Sequence, residues 1–228
     1  MNGIFWGAAL LAVVLAVWTG WRAVPLLVFA LAPWRVRYWF LDADAASRIT
    51  AASPSAQTQL EALRALGFTP LGVKVEKVLW RQAGREVDLV SAEAETYAAI
   101  VLTRDGRALS VYFYTPLADG GLVFTRAESS LPVMEGRNTS VKNVAGGLDK
   151  QLASHRLRLR AFRHQGLKTA VTPSQAGRLA ATRMYYASTY ARRAGRKLLN
   201  LPVVRDFALT VLLLAVVAGF YVFRGFIR

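Results

Sequence analysis

The sequence predicts an α+β membrane protein, and three observations support that prediction. Uncharged apolar segments lie near both ends of the 228-residue chain, at residues 4–21 and 207–223. Between them, short β-branched and aromatic segments predict a sheet. A strongly basic stretch follows and has helical periodicity. We therefore expect two transmembrane helices (N- and C-terminal) flanking a helix plus antiparallel β-meander domain and a basic helical pair.

Residues 1–34 are predicted to form the N-terminal transmembrane helix, with a kink or interfacial extension near Pro25. Ile4 to Trp21 approaches the ~20 apolar residues that a spanning helix needs. The next apolar run, Ala23 to Trp34, is short and contains Pro25, which kinks or breaks helices. A cleavable signal peptide is the alternative, but the first three residues include no Lys or Arg. A retained anchor is therefore expected.

Residues 35–52 are predicted to form an interface collar and linker. Basic and aromatic residues alternate from Trp34 to Phe40, which is typical of chains at head-group depth. Arg35, Arg37 and Trp39 are therefore expected to bind lipid or a partner. Contact with nucleic acid is less favoured, because the segment directly follows a predicted span.

Residues 53–142 are predicted to form the α+β domain. Ser53 and Pro54 provide an N-cap and a first-turn proline, and Gly67 provides a helix stop. Predicted strands follow at residues 73–81, 86–91, 96–104, 108–115 and 122–126, separated by glycine-containing turns. Alternation in the fourth strand suits a sheet with one buried face. An antiparallel meander of four or five strands is therefore expected, with the helix packed on it.

Few residues of this domain suggest chemistry. Tyr97, Tyr112 and Tyr114 could line a small pocket, although aromatic residues in strands more often serve packing. The sequence contains no P-loop, dinucleotide-binding glycine pattern, zinc-protease motif or nucleophile elbow. No catalytic residue, metal ligand or cofactor is therefore predicted.

Residues 143–203 are predicted to form the basic helical region. Residues 150–205 contain thirteen basic and no acidic residues, whereas residues 45–149 contain eleven of each. A first helix places His155 on an apolar stripe, so a buried or partner-bonded histidine is favoured over an acid–base or pocket role. A second helix is expected to begin at the capping sequence Thr172 to Gln175 and to run to about Leu199. The residues of this helix expected to bind anionic lipid or a partner are Arg178, Arg192, Arg193, Arg196 and Lys197.

Residues 204–228 are predicted to form the C-terminal transmembrane helix. Eight basic residues flank the two spans on the side of the central region, and only Arg224 and Arg228 lie on the other side. Because basic residues stay on the cytoplasmic side during insertion, the central region is expected to be cytoplasmic. The expected location is a bacterial inner membrane.

Two functional hypotheses follow from these features. The favoured one is a non-catalytic accessory, scaffold or assembly subunit of a membrane complex, with anionic lipids and other subunits as partners. The alternative is a membrane-tethered ligand-binding or enzymatic domain that acts on an anionic substrate such as a lipid head group. Nucleic acid is a less favoured partner, although the same cations would neutralise its phosphates.

Overall fold

A computed structural model describes residues 2–93, 95–127, 132–199 and 201–226; the outermost residues of the predicted spans lie outside this part. The chain divides into two compact units, one formed by residues 1–35 with 194–228 and one by residues 36–193. The α-helices are α1 (Asn2–Leu31), α2 (Ala43–Ala51), α3 (Pro54–Ala65), α4 (Leu148–His164), α5 (Gln175–Ala187), α6 (Thr189–Leu198) and α7 (Pro202–Phe226). The strands are β1 (Arg37–Phe40), β2 (Phe68–Val78), β3 (Arg81–Ser91), β4 (Tyr97–Leu102), β5 (Ala108–Pro116), β6 (Leu122–Arg126), β7 (Met134–Glu135) and β8 (Thr139–Asn143).

The first unit contains the two apolar helices α1 and α7, which pack against each other. A Cβ atom on Gly20 would lie 2.9 Å from Cε2 of Phe207, so glycine permits this close approach. Helix α1 continues through Pro25 to Leu31. The apolar helix is therefore one continuous segment, and the kink or interfacial extension near Pro25 stays a prediction.

One helix in the described part of the chain, Leu10–Leu31, is by itself long and apolar enough to cross a membrane. It has 22 residues, and an 18-residue window within it has a mean hydropathy of 1.8. A signal sequence near an N-terminus has the same properties. A second candidate exists only if Thr189–Lys197 and Pro202–Val216 are counted together as one bent span. The two-span architecture therefore stays a prediction.

The second unit is built on a single eight-stranded sheet with the order β1-β2-β3-β4-β5-β6-β8-β7. All neighbouring strands are antiparallel except β6 and β8, which are parallel. The predicted α+β class and antiparallel meander are confirmed. Helix α3 also begins as predicted, because the Ser53 hydroxyl accepts a hydrogen bond from the Ala56 N–H at 3.3 Å.

Residues 37–40 and 43–51 form β1 and α2, within the segment predicted as an interface collar and linker. Strand β1 pairs with β2, with Arg37 opposite Lys77 and Phe40 opposite Lys74. The sheet is therefore larger than the four or five strands that the turn spacing predicts. A strand of four residues such as β1 is too short to show a periodic pattern in the sequence, so it is recognised only by its pairing with β2.

The first hairpin turn lies at Leu79 and Trp80, inside the strand predicted at residues 73–81. Gly84, which predicts a turn, instead lies in β3 opposite Glu76, next to a shift in register. Glycine inside a strand often marks such an irregularity rather than a turn. The apolar sequence at the true turn explains why it is not predicted.

Both faces of the sheet are covered by helices. One face forms the main apolar core with α3 and α4, through Leu63, Leu89, Ile100, Phe113 and Leu152. The opposite face lies beneath α5, where the Tyr114 hydroxyl donates a hydrogen bond to the Ala181 carbonyl at 2.9 Å. The expectation of one buried face is therefore incomplete, because α5 joins the sheet from far along the sequence.

The predicted long helix from Thr172 to about Leu199 consists of two helices, α5 and α6. Helix α5 begins after Ser174, whose hydroxyl accepts from the Gly177 N–H at 3.0 Å. It ends at Ser188, which adopts an extended backbone and accepts from the Ala191 N–H at 3.1 Å. Serine side chains compete with helical backbone bonds in this way, and a new helix begins after the cap.

Candidate functional site

The most unusual part of the domain is a cluster of charged side chains between the sheet and α5. We call it the charge network, and it consists of Lys74, Glu76, Glu86, Asp88 and Arg178. Alternate residues of a strand point to the same face, so the two pairs of strand residues on β2 and β3 lie on one side of the sheet. The β2–β3 register places Lys74 directly opposite Glu86. Opposite charges across neighbouring strands attract each other.

Lys74 is buried and is held by three polar groups. Its Nζ lies 2.9 Å from Glu86 Oε2 and 3.1 Å from Glu76 Oε1. It also donates to the Thr182 hydroxyl at 3.2 Å, which links β2 to α5. The neighbouring carboxylates raise the pKa of Lys74 although burial and Arg178 lower it, so the side chain stays charged.

Arg178 provides the second cation and connects α5 to β3 and β5. Its side chain is only 2% exposed, and Nε donates to Asp88 Oδ1 at 2.8 Å. Nη2 donates to the Tyr112 hydroxyl at 2.8 Å, and that hydroxyl donates to Glu86 Oε2 at 2.7 Å. A buried ion pair needs such additional hydrogen bonds to offset the cost of removing it from water.

The charge network holds three carboxylates and two cations. Burial and the neighbouring charges shift the pKa values of its carboxylates differently. Burial raises the pKa of Asp88, against the attraction of Arg178 and Lys74. Burial also acts to raise the pKa of Glu86, but Lys74, Arg178 and the Tyr112 hydrogen bond together hold it below the usual range. The pKa values of two neighbouring carboxylates are thus shifted in opposite directions within one cluster.

Tyr97, Tyr112 and Tyr114, the predicted pocket tyrosines, lie on the face beneath α5. The Arg178 guanidinium carbon lies 5.3 Å from the Tyr97 ring centroid and 5.6 Å from that of Tyr114. The Tyr97 hydroxyl donates to the Thr172 carbonyl at 2.6 Å. The rings of Tyr97 and Tyr114 and the hydroxyl of Tyr112 therefore contact a cation of the protein itself, and the pocket hypothesis stays a prediction.

His155 lies on the opposite face of the sheet from these tyrosines. Its Nδ1 lies 2.7 Å from the Thr125 hydroxyl and its Nε2 lies 2.9 Å from the Thr115 hydroxyl. Because Arg158 donates to Thr125, that hydroxyl is free to donate to Nδ1. Burial, reinforced by Arg158 and Arg156, lowers the pKa of His155 to about 3. The structure thus separates His155 from the tyrosines and holds it as a neutral side chain bonded to protein partners.

The cations predicted to bind lipid or a partner fall into two groups. The prediction that Arg178 binds lipid or a partner is wrong. Its side chain is buried in an ion pair with Asp88, which keeps it away from any head group. The others are exposed, as is Trp39: Arg35, Arg37, Arg192, Arg193, Arg196 and Lys197. Their role in binding stays a prediction.

A cavity of about 260 Å³ lies elsewhere, between the start of β5 and the first turn of α4. Ala108, Leu109, Gly147 and Gln151 contribute to its lining. It includes none of the predicted pocket residues. Among residues 2–93, 95–127, 132–199 and 201–226, no group of three or more His, Asp or Glu side chains is arranged to hold a metal ion.

Sequence reasoning did not identify Lys74, Glu76, Glu86 and Asp88 as a cluster. The available signal was their spacing, since acidic and basic residues alternate with apolar ones on two consecutive strands. That pattern is also typical of a solvent-exposed face. Only the position of α5 distinguishes a buried charged cluster from a solvent-exposed face.

Comparison with protein-family models, with curated proteins and with solved structures finds no match to this chain.

Proposed function

We propose that this protein is a non-catalytic accessory, scaffold or assembly subunit of a membrane protein complex. It is anchored by α1 and α7 in a bacterial inner membrane, with the α+β domain in the cytoplasm. The domain and the exposed cations of α6 dock partner subunits and anionic lipid head groups.

The observation that carries this proposal is the way the domain uses its polar side chains. Its charge network pairs Lys74 and Arg178 with three carboxylates beneath α5. His155 is likewise bonded to two threonines beneath α4. Side chains engaged in this way brace the covering helices against the sheet. What the domain offers to other molecules is then its outer surface, which suits docking.

The apolar helices support a role in the membrane. Large apolar side chains on α1 and α7 are exposed in the single chain, among them Leu10, Trp18, Leu209 and Leu212. Contiguous apolar surface of this kind fits lipid tails or partner helices. Gly20 against Phe207 and Gly195 against Ala30 allow close packing between helices of this unit.

The cations of α6 support the orientation and the lipid contact. Arg192, Arg193, Arg196 and Lys197 are exposed and lie shortly before α7 begins. Juxtamembrane cations are attracted to the anionic cytoplasmic leaflet and stay on that side during insertion.

Purification from native membranes in mild detergent tests the proposal. We expect the tagged full-length chain to elute in a particle larger than its own 25.0 kDa, with stoichiometric partner proteins. A monomeric particle without partners would overturn the proposal. Turnover or tight binding of an anionic head-group analogue by that monomer would instead support the membrane-tethered binding or catalytic alternative.

A charge-matched pair of variants separates docking by α6 from general electrostatics. Replacing Arg192, Arg193, Arg196 and Lys197 with Gln removes four positive charges beside α7. Replacing Lys150, Arg156, Arg160 and Arg163 with Gln removes four exposed charges from α4. We expect only the first variant to lose partners or bound anionic lipid. Equal losses in both would contradict a specific role for α6.

A further inference from the structure

The turn between β2 and β3 carries two exposed apolar residues. We call Leu79 and Trp80 the hairpin tip; they are 41% and 46% exposed and follow the strand residue Val78, which pairs with Arg81. Two-residue hairpin turns normally use Gly, Asn or Asp. An apolar pair at this position therefore departs from ordinary turn chemistry.

The backbone at the hairpin tip is unfavourable for the residue that occupies it. Leu79 has a φ of +52° and is the one non-glycine residue with positive φ in the described part of the chain. The β4–β5 and β5–β6 turns use Gly106 and Gly120 for the same purpose, with φ of +88° and +84°. Strained positions of this kind tend to be kept where the side chain has a function.

The strands beside the hairpin tip carry a basic and aromatic surface. Arg37 and Lys77 are exposed and directly opposite each other on β1 and β2. Trp39, two residues along β1, lies on the same face and is also exposed. Cations and tryptophan together are typical of surfaces that contact head groups.

The connection from α1 enters the domain at this end of the sheet. Arg37 follows the end of α1 by six residues, a span of at most about 20 Å in extended chain. Within the domain, Tyr186 of α5 stacks on Tyr38 with ring centroids 6.2 Å apart and donates to Glu76, two residues before Val78. The length of the connecting chain therefore limits the distance between the end of α1 and Arg37, which lies opposite Lys77 beside the hairpin tip.

We propose that the hairpin tip is an additional membrane contact, which inserts Leu79 and Trp80 into the anionic head-group region of the bilayer that holds α1. Arg37 and Lys77 neutralise lipid phosphates beside it, and Trp39 lies at the same depth. This proposal rests on the proposed function, since it needs the anchored chain. The contact would fix the tilt of the domain on the membrane surface and thereby orient the faces that dock partners.

A depth probe on the full-length chain tests the proposal, because the natural sequence contains no cysteine. Leu79→Cys is labelled with an environment-sensitive fluorophore and reconstituted into phosphatidylcholine vesicles with phosphatidylglycerol. The matched control is Ala118→Cys, an exposed position in the β5–β6 turn at the far end of the sheet. We expect blue-shifted emission at position 79 and quenching by shallow spin-labelled lipid at least about threefold stronger than at position 118.

The outcomes separate this proposal from the proposed function. If the chain floats with the vesicles but the probes at 79 and 118 behave alike, the hairpin tip does not insert, although anchoring holds. If the chain fails to float at all, the membrane anchoring itself is wrong. Shielding at position 79 only in particles that contain partner proteins would overturn lipid contact in favour of a protein contact. Adding Arg37→Gln and Lys77→Gln should weaken quenching at position 79, and unchanged quenching would overturn the electrostatic part.

Discussion

The two faces of the central sheet are both covered by helices, but the helices are held to them by different interactions. Beneath α3 and α4, residues such as Leu89, Ile100 and Phe113 form an apolar core. Beneath α5, Asp88 and its partners form the charge network. Leu89 and Asp88 are consecutive residues of β3, so one step along the strand separates the two environments.

The difference shows which helices are held on the sheet by specific ion pairs and which are held by the packing of apolar side chains. An apolar face tolerates changes of side chain that conserve volume. A buried charge tolerates almost none, because a displaced partner leaves it unpaired in a medium of low polarity. We therefore expect α5 to be fixed in register by Arg178 and Lys74, whereas α3 and α4 depend on the fit of their apolar side chains.

The largest expected effect comes from removing one cation of the charge network. Arg178→Met should destabilise the domain by about 3–5 kcal/mol, because buried Asp88 loses its shortest ion pair and keeps only Lys74, at 3.9 Å. Adding Asp88→Leu should recover about 1–3 kcal/mol of that loss, since the unpaired charge is removed as well. Thermal unfolding of the detergent-solubilised chain measures both.

The control for this cycle lies on the opposite face. Leu89→Ala should cost about 2–5 kcal/mol through the cavity it creates, and this cost should add to that of Arg178→Met. If Asp88→Leu fails to rescue Arg178→Met, or if it rescues Leu89→Ala equally, the charge network is not the coupled unit that the distances indicate.

The same comparison explains how much of the fold is predictable from the sequence. Alternation in β5 and the cap of α3 predict an α+β meander, because those signals are local. The face beneath α5 depends on Arg178 meeting Asp88 from 90 residues away, and no local pattern encodes that meeting. Arg178 itself looks like a surface cation in a basic helix until its partners are known. Likewise, the apolar residues of the hairpin tip are predicted from the sequence as part of a strand.

The next expected effect concerns pH and the histidine beneath α4. The pKa of His155 falls from 6.5 to about 3 in the folded chain, so the unfolded chain binds the extra proton first as pH falls. Its contribution to stability is complete above pH 6.5 and is lost as pH falls toward 3. Between pH 6.5 and 5 the loss should be about 2 kcal/mol.

The chain supplies its own control, because it contains two histidines and His164 is exposed. His155→Gln should be less stable than the natural chain at pH 7 but should lose less stability between pH 6.5 and 5. His164→Gln should keep the natural slope. Melting temperatures recorded across this pH range decide the matter, and an unchanged slope in His155→Gln would assign the acid sensitivity to other groups.

The smallest expected effect has the opposite sign and concerns the hairpin tip, which belongs to neither face. Leu79→Asn replaces a leucine at φ +52° with a residue that tolerates this conformation. We expect the melting temperature in detergent to stay the same or to rise, with a gain of up to about 1 kcal/mol. Leu109→Asn, which also removes an exposed leucine but in β5, should bring no such gain.

A clear loss of stability in Leu79→Asn would show that Leu79 serves packing within the domain. A neutral or stabilising result would show that folding does not require leucine there, which leaves contact outside the domain as the reason for an apolar residue at a strained, exposed turn.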